Sequence, residues 1–194
     1  HKNIHYLINK NMKINKKYIR KITSFLSIFM IVIFLISCNE SPTDIALKWS
    51  TDIKSKIFED IKSPVDSVSV DSSRQNYKEI SLYSNGIRTK LYGISFPSGD
   101  TIISIYYSKD QNFEIVRELC PGMERNFEGI RYKGEHLGLA EFTYCDGKLK
   151  EQGYRYEGDV GIWKEWDEQG NLIYIYDYGN VDKLKNLKKI KYYR

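Results

Sequence analysis

Three cysteines and three histidines carry the most direct chemistry in this 194-residue chain: thiols that bridge, bind metal or accept a lipid, and imidazoles that move protons. Neither set assembles into a reactive group. His1 and His5 fall in a leader argued below, which leaves His136 in the stretch Lys133-Gly134-Glu135-His136-Leu137-Gly138, read here as a loop. A single histidine in such a stretch is read as a solvated side chain. Zinc needs three or four ligands at tight spacing, and Cys120, Cys145 and His136 supply neither the number nor a paired-cysteine motif. No GxSxG elbow, P-loop, GxGxxG or HExxH occurs, so no catalytic residue, metal ligand or cofactor site is assigned and the chain is read as a non-enzyme. Paired carboxylates leave no local signature, but Glu165, between Trp163 and Trp166, reads as a strand-surface residue.

Aromatic side chains are the more informative set. They make up 14% of the chain, with 16 tyrosines, and Tyr154, Tyr156, Trp163, Trp166, Tyr174, Tyr176 and Tyr178 crowd one stretch. Along a strand from Leu172 to Tyr178, Leu172, Tyr174, Tyr176 and Tyr178 share one face and Ile173 and Ile175 the other. Core packing accounts for one face. Tyrosine and tryptophan anchor binding interfaces, which makes this set the candidate binding surface.

The elements that must position these residues begin after a leader. The formal charge of +5 comes from the first 37 residues, which hold seven Lys or Arg and no acid; residues 38–194 carry a net of −2. A nucleic-acid partner is therefore not expected. A basic stretch, Lys13 to Lys21, precedes an apolar run from Ile22 to Ile36 and then Ser37-Cys38, in the order of a secretion signal. At 1.5 Å per residue that run reaches roughly 22 Å, short of the ~30 Å hydrocarbon core of a bilayer. His1 to Asn11 contain no methionine, and translation is expected to start at Met12. With Cys38 set apart, Cys120 and Cys145 remain, as either a disulfide in an oxidising compartment or two buried thiols. A bridge would close a loop of about 25 residues and contribute roughly 3 kcal/mol.

Residues 38–44 are polar, contain Pro42 and read as a tether. Ala46, Leu47, Trp49, Ile53, Ile57, Phe58 and Ile61 recur at helical spacing, predicting an amphipathic helix over 45–63, capped by Thr43 or Asp44, that lies on the following sheet. Residues 65–75 read as a polar connection. From 76 to 181, apolar and aromatic runs alternate with turn signals at Ser84-Asn85-Gly86, Pro97-Ser98-Gly99-Asp100, Lys109-Asp110-Gln111-Asn112, Cys145-Asp146-Gly147 and Asp167-Glu168-Gln169-Gly170-Asn171. Turns this close leave no room for crossover helices, so the fold class is mainly β, an antiparallel meander of hairpins with one N-terminal helix. Residues 182–194 read as a basic tail, frayed and solvated, with a short amphipathic helix over 183–191 touching anionic lipid or an acidic partner as the alternative.

Two resemblances add to this reading. Leu35-Ile36-Ser37-Cys38 resembles the lipobox of bacterial lipoproteins, which implies cleavage before Cys38 and its lipidation, and so a chain anchored to an envelope membrane, the outer one in a cell with two. An internal repeat also appears at an offset of 23 or 24 residues: Tyr132-Lys133-Gly134 returns as Tyr156-Glu157-Gly158, and Leu139-Ala140-Glu141-Phe142 as Trp163-Lys164-Glu165-Trp166. The segment Gly147 to Tyr154, followed by Gly161 to Leu172, is similar to the bacterial variant of the MORN repeat, found in antitoxins of the YwqK type and in exported lipoproteins. That resemblance spans Gly129 to Asn180 and implies a β-hairpin array that binds a macromolecule, in its sharpest form a toxin bound by an immunity protein. A structural role in envelope assembly and carbohydrate binding are the other readings.

Overall fold

The computed structural model describes residues 40–96, 98–120 and 124–193; the leader, the expected start at Met12 and the lipobox with Cys38 lie outside them. Helix α1 spans Pro42–Asp60, so it starts within the stretch read as a tether. Its cap is Ser41 rather than Thr43 or Asp44: the Ser41 hydroxyl accepts from the Asp44 N–H at 3.1 Å, and Pro42 sits where a missing N–H costs nothing. Ile45, Ala46, Trp49, Ile53 and Ile57 form its buried stripe.

Ten strands follow in one sheet: β1 Ser67–Arg74, β2 Tyr77–Ser84, β3 Ile87–Ser95, β4 Thr101–Tyr107, β5 Phe113–Glu118, β6 Asn126–Tyr132, β7 Glu135–Thr143, β8 Leu149–Arg155, β9 Asp159–Trp166 and β10 Leu172–Asp177. Spatial order equals sequence order, and each described neighbouring pair is antiparallel. The protein is thus mainly β, a meander. Repeated turn chemistry builds it: Asn85, Lys133 and Glu157 all take φ near +53°, and each is followed by a positive-φ glycine, Gly86, Gly134 or Gly158. Two successive left-handed residues match the twist of a tight hairpin, which is why the motif Tyr-x-Gly recurs. Twenty-four residues separate Lys133 from Glu157, and twice that separates Asn85 from Lys133.

The register assigns residues to faces. Tyr92, Ser104, Arg117, Glu128, Glu141, Gln152, Lys164 and Ile175 line up across one face. Helix α1 covers this face, packing Trp49, Ile53 and Ile57 with Phe113, Ile115, Ile130, Leu137 and Val160. Leu91, Ile105, Val116, Gly129, Ala140 and Gly153 line up on the other face, which carries no helix among the described residues. That face nevertheless buries Phe127, Phe142 and Trp163. Its aromatic rings lie down on positions with no side chain. A Cβ on Gly129 would stand 2.5 Å from the Phe127 ring, and one on Gly153 would stand 2.1 Å from the Trp163 ring. The Arg155 guanidinium then roofs Phe127, Phe142 and Trp163 at 5.5–5.7 Å from their centroids, and Arg125 stands 3.9 Å over Phe142.

Three expectations change. The polar stretch 65–75 holds an edge strand, β1, whose residues are all exposed, so no apolar face marks it beyond Val68 and Val70. The tail is a 3-10 helix, Val181–Lys189, rather than a frayed end, with Leu184 and Leu187 fully buried against the helix-side core. His136 lies on β7, not in a loop. Of the two alternatives for Cys120 and Cys145, the structure has the bridge: their Cα atoms are 5.6 Å apart, joining the β5–β6 connection to the turn after β7. Both cores, the disulfide and all ten strands lie within Ser41–Arg194, which forms one compact unit by itself.

This packing predicts an ordering of stabilities in urea titrations of residues 40–194. Trp163→Ala loses about 3–5 kcal/mol through the cavity it leaves, and Gly153→Ala loses about 1–3 kcal/mol by pushing the indole off its seat. Tyr174→Ser, on the exposed edge, stays within about 1 kcal/mol of the parent.

Candidate functional site

The candidate aromatic residues divide by burial. Trp163 is 1% exposed and belongs to the core, which removes it from the binding surface; its indole N–H donates to the Tyr154 carbonyl at 3.2 Å. Tyr154 and Tyr156 are half-buried against the helix-side core, and Trp166 is half-buried opposite Leu172. Tyr174, Tyr176 and Tyr178 are exposed, so only this part of the set forms a surface.

These three tyrosines are held as a ladder. The β9–β10 turn is fixed by Asp167, whose carboxylate accepts from the Asn171 backbone N–H at 2.8 Å and its side-chain amide at 3.0 Å. Among the described residues strand β10 then pairs with β9 alone, placing Tyr174 opposite Glu165 and Tyr176 opposite Trp163. Tyr174 stacks on Tyr176 at 5.8 Å, Tyr176 meets Tyr178 at 6.3 Å, and Tyr178 stands edge-on to the buried Trp163 at 6.3 Å. The Tyr176 hydroxyl donates to Glu165 at 3.3 Å, and desolvation together with the Glu165 carboxylate raises its pKa. Exposed rings are therefore pre-ordered on a buried one, which lowers the entropy lost when a partner covers them.

Ile173 and Ile175 on the other side of β10 are also exposed, at 45% and 59%. The expectation that core packing buries one face of this strand is thus corrected: all of its residues are exposed, because α1 and the 3-10 helix stop short of it. Strand β10 holds no Lys, Arg or Pro, and Asp177 at its end is its sole charge. The opposite edge, β1, is blunted by Asp71, Arg74 and a bulge between them. The sequence marks Ile173 and Ile175 as one face of the strand but not their exposure, because alternation identifies a face without saying what covers it.

Two polar groups elsewhere have a structural role. On the helix side Arg117 Nε meets Glu128 at 2.6 Å, Lys54 Nζ meets Glu128 at 2.5 Å and Glu141 at 3.9 Å, and the Gln152 amide donates to Glu141 at 2.8 Å. Burial works to raise the Glu128 pKa, but Lys54 and Arg117 outweigh it and hold the carboxyl below its usual range, so at neutral pH Glu128 carries no proton to donate. On the open side His136 stands opposite Arg131, edge-on to the Phe127 ring at 5.2 Å, and its Nδ1 is buried without a hydrogen-bond partner. Burial, then Arg155 and Arg131, push its pKa down to about 4. Among the described residues no group of three His, Cys, Asp or Glu side chains could hold a metal ion, and no helix is long and apolar enough to cross a membrane.

Comparison with protein-family models, curated proteins and solved structures gives no match.

The His136 environment sets a pH dependence. Its folded pKa of about 4 lies below the ordinary value of 6.5, so between these the unfolded chain binds a proton that the native state does not. Its contribution is fully present above pH ~6.5 and is lost as pH falls toward 4, with a slope of at most about 1.4 kcal/mol per pH unit. Urea titrations at pH 7, 6 and 5 are expected to show this decline, and His136→Gln to flatten it.

Proposed function

We propose that this chain is a lipid-anchored envelope protein that binds a protein partner through the C-terminal edge of its sheet and catalyses no reaction. The observation that carries the reading is the tyrosine ladder of β10: three exposed rings, ordered on one another and on Trp163, along a strand with an unpaired edge and apolar side chains on both faces. Aromatic anchors with pre-set geometry supply most of the free energy of protein interfaces. An unblunted edge also offers main-chain hydrogen bonds to an added strand. The basic-then-apolar leader ending in Leu35-Ile36-Ser37-Cys38, similar to a lipobox, supports anchoring through Cys38. Similarity of the hairpin units to MORN-variant antitoxins supports an immunity role, in which the partner is a toxin that reaches the envelope.

Residues 40–194 bearing Tyr174→Ser and Tyr176→Ser test the binding surface, because exposed tyrosines are removed while the Trp163 core stays intact. Pull-downs from native envelopes with parent and variant, both shown folded by near-ultraviolet circular dichroism, are expected to give one abundant protein that the variant loses. Identical sets from both proteins would contradict a β10 interface. Anchoring is tested separately by metabolic labelling with a tagged fatty acid: label in the full chain that Cys38→Ala abolishes is the expected result, and an unlabelled chain contradicts it.

A further inference from the structure

We propose that the C-terminal 3-10 helix is a docking surface for the anionic headgroups of the bilayer, orienting the sheet on the membrane to which Cys38 ties it. This rests on the lipid-anchor reading above, and the basis for it is a periodicity.

In a 3-10 helix residues three apart share a stripe. Over Val181–Lys189 this yields one apolar stripe, Leu184 and Leu187, both fully buried, and two polar stripes that must then face outward. Asp182, Lys185 and Lys188 lie on one of them, where the Lys185 ammonium pairs with Asp182 at 2.6 Å; Lys183, Asn186 and Lys189 lie on the other, where Lys183 meets Glu157 at 3.3 Å and the Lys189 ammonium donates to the Asn186 side chain at 2.9 Å. Lys191 and the exposed Tyr193 continue the basic surface beyond the helix. No acid occurs from Lys183 to Tyr193. Lysines around a tyrosine are the side chains that favour the headgroup region.

The surface is held rigidly. The Trp49 indole N–H donates to the Ile190 carbonyl at 3.1 Å, and the Tyr192 ring stacks on Phe113 at 5.3 Å while its hydroxyl donates to Asp60. The C-terminal end of the basic segment is thereby bound to α1 and the core beneath it, and Leu184 and Leu187 seat the helix itself in that core.

Chain geometry selects the partner. In the sequence Cys38 stands three residues before Ser41, the cap of α1, so a lipid on Cys38 would join the chain only a few residues from this helix. Helix α1 and the 3-10 helix pack together, Ala46 with Leu184 and Leu187 in one cluster. So short a tether lets the nearby end of the domain approach the membrane to within a Debye length, about 8–10 Å, where headgroup charge is still felt. Residues 38–182 carry 17 basic and 25 acidic side chains, a net of −8, so the body is repelled by an anionic surface while the lysine segment is drawn to it. That charge separation turns the domain to one orientation.

The test uses residues 40–194, without Cys38, and co-sedimentation with vesicles of phosphatidylcholine alone or with 30% phosphatidylglycerol. The expected result is binding to the anionic vesicles only, at least ten-fold weaker in 500 mM than in 50 mM NaCl, and lost when Lys188, Lys189 and Lys191 are changed to Ser in a protein whose circular dichroism and urea midpoint match the parent. Equal binding to both vesicles, no binding to either, an unchanged triple variant, or complete competition by soluble polyglutamate at equal charge would overturn the proposal. Cys38 takes no part in this assay, so its failure and the failure of the fatty-acid labelling are read independently.

Discussion

A sheet one layer thick has two faces, and among the described residues helices cover only one of them. The other must be dried by the strands' own side chains, and the interaction that achieves this is the laying of large rings on glycines. Trp163 occupies the space that a side chain on Gly153 would fill, and Phe127 does the same at Gly129. The rings then fit beneath Arg155 and Arg125, whose guanidinium groups present charge to water and an attractive face to the aromatic surface below. Without the glycines the rings would stand up into solvent and the face would have to find a second layer. The environment of His136 follows from the same arrangement: it is buried beside the Phe127 ring, opposite Arg131, and burial together with the charges of Arg155 and Arg131 pushes its pKa down.

A ten-strand meander that does not close has two edges, and they are treated differently. Strand β1 carries charge and a bulge. Strand β10 carries isoleucines and a stack of tyrosines, and the ladder ends on the same Trp163 that dries the open face. Core and candidate surface are therefore continuous, with Trp163 supporting the ladder from within and Tyr174 and Tyr176 exposed at its outer end. The basic 3-10 helix beyond β10 leaves that edge uncovered and packs instead beside α1. The proposed binding edge and the basic helix thus occupy different parts of the molecule.

The hairpin meander was legible in the sequence because its signals are local: a glycine after a left-handed residue at Asn85-Gly86, Lys133-Gly134 and Glu157-Gly158 fixes each turn without reference to anything distant. The amphipathic stripe from Ala46 to Ile57 was legible for the same reason. What the sequence could not separate was Trp163 from Tyr174. Both lie on the same face by alternation, and the difference between a buried ring and an exposed one depends on Gly153, a strand away, and on the sheet ending at β10. Strand β1 was hidden because an exposed edge needs no apolar pattern, and the tail was misread because its stripe is only Leu184 and Leu187, drawn inward by α1. The cysteine pair was visible, but only the pairing of the intervening strands brings Cys120 and Cys145 to a bridging distance.

The central claim is that a partner meets this protein at the β10 edge and not at β1. In-cell photocrosslinking tests it most directly, with a benzophenone amino acid placed at Tyr174 in one full-length protein and at Val70 in another, two exposed positions on opposite edges of one sheet. One discrete adduct from position 174, with none from position 70, is the predicted result. No adduct at 174, or the same adduct from both edges, would contradict the account.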